Sequence, residues 1–77
     1  MEIRLVMKTA RSASLELDDG GIYKTKEVYR ILVNGDEVKT TDTVITSLYG
    51  LKPDTDYEIG VEDAHGTRQG EIAFRTD

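Results

Sequence analysis

Seventy-seven residues without a cysteine form one small domain, 1–77, with no disulfide or thiolate–metal staple, so its stability must come from apolar packing. At 38% hydrophobic and 32% charged, the composition is globular rather than disordered. A net charge of -5 with no cluster of Lys and Arg argues against a nucleic-acid or anionic-membrane partner. No apolar stretch approaches the roughly 20 residues of a helical membrane span. Met1 leads into Glu2, Ile3 and Arg4 without a long apolar stretch, so the start does not read as a signal peptide. With Met1 as the native start the expected location is cytoplasmic. Otherwise the chain is a piece cut from something larger.

In chain order, segments rich in Val, Ile, Thr and Tyr predict strands near 2–8, 13–18, 27–34, 37–40, 43–49, 57–62 and 71–76. Asp18-Asp19-Gly20-Gly21, Asn34-Gly35, Gly50 to Asp56 around Pro53, and Asp63 to Gly70 punctuate them. Asn34-Gly35 is a hairpin signal, because a type I′ turn needs positive φ at both central residues. No helix longer than one turn is expected. Alternation assigns the faces. Leu15 and Leu17 point inward, as do Tyr29, Ile31 and Val33, then Tyr57, Ile59 and Val61, and Ile72 with Phe74. Ile3, Leu5 and Met7 complete that set, with Leu48 and Leu51 from the middle. One buried and one wet face per strand predicts an all-β, immunoglobulin-like antiparallel sandwich of about seven strands in two sheets.

The run Leu48-Tyr49-Gly50-Leu51-Lys52-Pro53-Asp54-Thr55-Asp56-Tyr57-Glu58-Ile59-Gly60-Val61 resembles the corner of fibronectin type III domains between their fifth and sixth strands. The resemblance implies a structural tyrosine corner. In it, the Tyr57 hydroxyl reaches back to backbone a few residues upstream, and Leu51 plugs the end of the core. Tyr29-Arg30-Ile31-Leu32-Val33 and Ile72-Ala73-Phe74-Arg75-Thr76 are similar to flanking strands of that family, whereas Leu17 stands where many members carry a core tryptophan. A narrower resemblance joins Ala10 through Tyr23 and Thr46 through Thr55 to the module that precedes the catalytic β-helix of some bacterial family 28, polygalacturonase-like glycoside hydrolases. That resemblance implies a pectic substrate for a parent enzyme whose catalytic carboxylates lie beyond Asp77.

Candidate chemistry within the chain is thin. Sugar hydrolysis needs two carboxylates about 5–10 Å apart across a cleft, and the acids here fall on outward faces and loops. Asp54 and Asp56 read as turn residues bonding local backbone. Asp18 and Asp19 match no calcium-loop spacing and read as a solvated turn. His65 is the only histidine, and none of Ser12, Ser14 or Ser47 sits in a nucleophile elbow. No catalytic residue, metal ligand or cofactor is therefore expected. With no Trp, and with Tyr29 and Tyr57 assigned to the core, Tyr23 and Tyr49 make a poor sugar-stacking platform. Ile45 with Tyr49 forms an outward apolar pair suited to docking. A second pair, Val28 with Leu32, is expected to lie under cross-strand charges such as Arg30 and Arg75.

These readings converge on a non-catalytic spacer or docking module. Its partner would be the following catalytic domain of the same chain, and in isolation it would be a monomer. The alternative is an independent protein-recognition domain that uses its loops or an edge strand, and a stand-alone enzyme is the third class. Fold alone does not choose between them.

Overall fold

A computed structural model describes residues 1–77. Seven strands follow one another: β1 (Glu2–Lys8), β2 (Ser12–Asp18), β3 (Lys24–Val33), β4 (Asp36–Thr43), β5 (Ile45–Tyr49), β6 (Asp56–Glu62) and β7 (Arg68–Arg75). They form a three-stranded sheet in the order β1-β2-β5 and a four-stranded sheet in the order β4-β3-β6-β7. Every neighbouring pair is antiparallel. The chain is thus an all-β, two-sheet sandwich without a helix, and alternation is the cause. Each strand can bury only one face, and two such sheets bury those faces against each other.

Ala13, Leu15, Leu17, Tyr29, Ile31, Leu48, Leu51, Ile59 and Val61 fill the space between the sheets, and Ile3, Leu5, Val33, Tyr57, Ile72 and Phe74 pack around them. Leu15, Leu17, Ile31, Ile59 and Val61 are fully enclosed, and each such side chain contributes about 1.5–3 kcal/mol relative to exposure. The β3–β4 turn has both residues in the left-handed region, Asn34 at φ 50° and Gly35 at φ 90°. Asn34 is tied to β6 twice, its Oδ1 accepting from the Glu58 amide and its own amide donating to the Glu58 carbonyl.

Met7 does not join the inward set. Leu5 pairs with Leu15, but Met7 pairs with Ser14, so β1 takes two steps against one on β2. The extra residue of this bulge reverses the alternation. Val6 and Met7 consequently both face solvent, at 57% and 59% exposure. Strand limits also differ from the local pattern. β3 begins at Lys24 because Thr43 pairs with it across the sheet. The segment expected at 43–49 is divided: β4 ends at Thr43 in one sheet, and after Val44 the chain enters the other as β5. β7 starts at Arg68, opposite Glu62.

Candidate functional surface

β5 is an edge strand with Thr46 and Leu48 buried beneath it. The intervening residues must therefore face out, and Ile45 and Tyr49 are 51% and 80% exposed. Between them Ser47 bonds Ser14 of β2 through their hydroxyls at 2.9 Å. Tyr49 lies opposite Ser12, close to the turn that links β1 to β2. The last residue is held at this same pole: the Asp77 amide donates to the Thr9 carbonyl at 3.3 Å, and Lys8 pairs with the Asp77 carboxylate at 3.2 Å. Tyr49 thus lies at the same pole as Asp77, whereas Ile45, opposite Glu16, sits at the other end of β5 on the same outward face.

Behind it, the β5–β6 connection is locked from both sides. Leu51 is buried, and its amide donates to the Arg11 carbonyl at 3.0 Å. The Tyr57 hydroxyl accepts the Lys52 amide at 2.8 Å, while its ring lies 6.1 Å from that of Phe74. Thr76 finishes the corner, donating to the Lys52 carbonyl and accepting from the Thr55 amide. Asp54 and Asp56 do not bond local backbone with their side chains. They pair instead with the Arg75 guanidinium at 3.0 Å each, because β7 brings Arg75 directly opposite Asp56.

The β2–β3 loop is a second exposed feature. Asp19 is half-buried rather than solvated, and its carboxylate organises the loop. Oδ1 accepts the Gly21 amide at 3.0 Å, and Oδ2 accepts both the Lys26 amide and the Tyr29 hydroxyl at 2.7 Å. Burial by itself would raise the Asp19 pKa, but these three donors outweigh it and hold the carboxyl below its ordinary value. Burial, then the bond to Asp19, pushes the Tyr29 phenol well above the usual tyrosine range. The loop so held presents Ile22 and Tyr23 at 81% and 88% exposure, with Tyr23 at φ 64°.

His65 lies in the β6–β7 loop. There the Asp63 carboxylate accepts the amides of His65 and Thr67 and the Gln69 side chain. The Thr67 amide is the main cause holding the Asp63 carboxyl below its ordinary value, with burial opposing it and the His65 amide adding to it. Ser12, Ser14 and Ser47 belong to the other sheet and bond Thr9 or one another, so the structure does not bring them to the histidine. Asp18 bonds Arg4, and no three His, Asp or Glu side chains converge as a metal site would require.

The expectation for Val28 and Leu32 holds only in part. Leu32 is half-buried, but Val28 is 52% exposed. Arg75 is engaged by its own acids, while Arg30 makes the expected kind of cross-strand pair with Glu37, the residue opposite Leu32, and donates to the Ala64 carbonyl. A further side chain over this sheet is Arg68, whose guanidinium lies over Gly60, the residue opposite Leu32. Sequence reading missed this role, that of Asp19, and the burial of Thr25, Thr41, Thr46 and Thr76. Threonine has high strand propensity on either face, so only the alternation parity within each strand could have marked the first three, and Thr76 lies just past the end of β7. No protein-family model matches the chain, and no curated protein matches it.

Proposed function

We propose that this chain is a non-catalytic docking module that packs, through Ile45 and Tyr49, on a domain following Asp77. The observation that carries the reading is the position of Tyr49 at the pole where Asp77 is tied, with Ile45 exposed on the same outward face at the other end of β5. A domain continuing from Asp77 emerges beside Tyr49, and a modest, partly polar contact suffices to orient one domain on another. The sheet orders β1-β2-β5 and β4-β3-β6-β7, with the Tyr57–Lys52 corner bond, support a fibronectin type III reading. The resemblance to modules ahead of family 28 glycoside hydrolases makes a pectin-degrading β-helix the proposed neighbour.

The test is the paired change Tyr49→Ser with Ile45→Thr. The isolated 77-residue chain should keep its fold, because both side chains lie outside its core. In a parent that continues past Asp77, the same change should loosen the junction, read as faster proteolysis near residue 77. Unaltered cleavage there would refute docking through this face. A second reading, recognition of a separate protein, is favoured by the β2–β3 tip with Ile22 and Tyr23. It requires that Tyr23→Ser abolish binding to that protein while the junction stays intact.

A further inference from the structure

The open edge of β5 carries a contradiction. The Leu17 amide donates to the Val44 carbonyl at 2.7 Å. In an antiparallel ladder the backbone groups of alternate residues then face β2, and those of Ile45, Ser47 and Tyr49 face outward. A row of outward donors and acceptors is a template for another strand. Here, however, two of its acceptors are occupied. Lys39 reaches from β4 of the opposite sheet and donates Nζ to the Ser47 carbonyl at 3.2 Å. Thr43 donates Oγ1 to the Ile45 carbonyl at 2.8 Å. The other seam is closed alike, Lys8 of β1 donating Nζ to the Arg75 carbonyl of β7.

We propose that the β5 edge is a pairing surface for a second copy of this chain, and that Lys39 holds it closed. The occupant follows from the self-complementarity of the strand. An antiparallel pairing centred on Ser47 sets Ser47 against Ser47, and Ile45 of each copy against Tyr49 of the other. The two exposed apolar residues of β5 would thus cover each other as cross-strand pairs of aromatic and β-branched side chains, a favourable combination. The same two-fold would extend each three-stranded sheet into one of six strands, an isologous interface that closes at the dimer. With Lys39 in place, the central carbonyl is already bonded. An incoming strand would have to displace the ammonium or bury it unpaired, which is costly. Five paired residues bury less area than a tight interface does, so the pairing is weak, shows only as concentration rises, and is prevented by that penalty. The barrier leaves Ile45 and Tyr49 free for a different neighbour, although the pairing does not depend on that role.

Lys39 is exposed, so Lys39→Met should fold as the unaltered chain does, verified by far-UV circular dichroism and amide dispersion. By sedimentation, the unaltered chain and Lys39→Arg should remain monomers, whereas Lys39→Met should shift to twice the monomer mass as concentration rises. Adding Tyr49→Lys to Lys39→Met should reverse the shift. Because the chain has no cysteine, Ser47→Cys supplies a single reporter. Directly paired residues have Cα atoms about 5.5 Å apart, within disulfide range. Mild oxidation should trap Ser47→Cys as a dimer faster when Lys39→Met is also present. Lys39→Met monomeric at every concentration, association indifferent to Tyr49→Lys, or trapping equally fast with Lys39 intact would each overturn the proposal.

Discussion

Replacing Asp19 by Ala tests whether one carboxylate organises a whole loop. The substitution removes the acceptor of three hydrogen bonds, from the Gly21 and Lys26 amides and the Tyr29 hydroxyl. Lys26 is exposed and Gly21 half-buried, so water can satisfy their amides at small cost. Tyr29 is only 3% exposed, and its hydroxyl would lose a charged partner with little access to solvent. Leaving such a group unpaired costs about 1–3 kcal/mol, more when the partner was charged, so Asp19→Ala should lose about 2–3 kcal/mol. Tyr29→Phe removes the donor, keeps the ring and leaves Asp19 two amides, so it should lose about 1 kcal/mol. Together the two changes should cost less than their sum, a coupling of about 1 kcal/mol. A domain of this size has about 4–12 kcal/mol in total, and each kcal/mol shifts Tm by about 4–8 °C. Thermal or urea unfolding of the four-member cycle therefore resolves the difference. Acid dependence adds an independent reading. The Asp19 carboxyl is held below its unfolded value, so its stabilisation is present above that value and lost as pH falls through the folded one. Asp19→Asn should flatten the loss of stability below about pH 4. Additive single changes, or an acid slope unaltered by Asp19→Asn, would refute the assignment.

Three further outcomes follow from the same geometry. Tyr57→Phe should cost about 1 kcal/mol in denaturant unfolding, near the low end for a hydrogen bond, since the Lys52 amide it releases is exposed to water. Gly21→Ala would place a Cβ 2.1 Å from the Lys24 carbonyl oxygen, a backbone atom that cannot yield without rebuilding the loop. It should cost about 3 kcal/mol and quench the Tyr29–Asp19 bond, visible as a lowered Tyr29 titration in phenolate absorbance. Thr46→Val should instead stabilise the chain by about 1 kcal/mol in thermal unfolding, because the buried Thr46 hydroxyl has no hydrogen-bond partner and valine keeps the shape.

What the sequence by itself determined was the part of the fold that repeats every two residues. Tyr57, Ile59 and Val61, or Leu15 and Leu17, alternate with polar neighbours, and a pleated strand can satisfy that pattern only by burying one face. Asn34-Gly35 specified its own turn because positive φ is a local property of those two residues. The outward direction of Ile45 and Tyr49 was legible for the same reason. Tertiary structure alone decided whatever depends on a distant partner. The β1 bulge turns Met7 out because of its register against Ser14, and no feature near Met7 records it. Asp19 becomes an anchor only when β3 delivers Tyr29, ten residues on, to its carboxylate. Lys39 closes the β5 edge only because two sheets meet at that seam, an encounter between chain segments that no local pattern encodes. Periodicity is written residue by residue, whereas hydrogen-bond partners across sheets are set by packing.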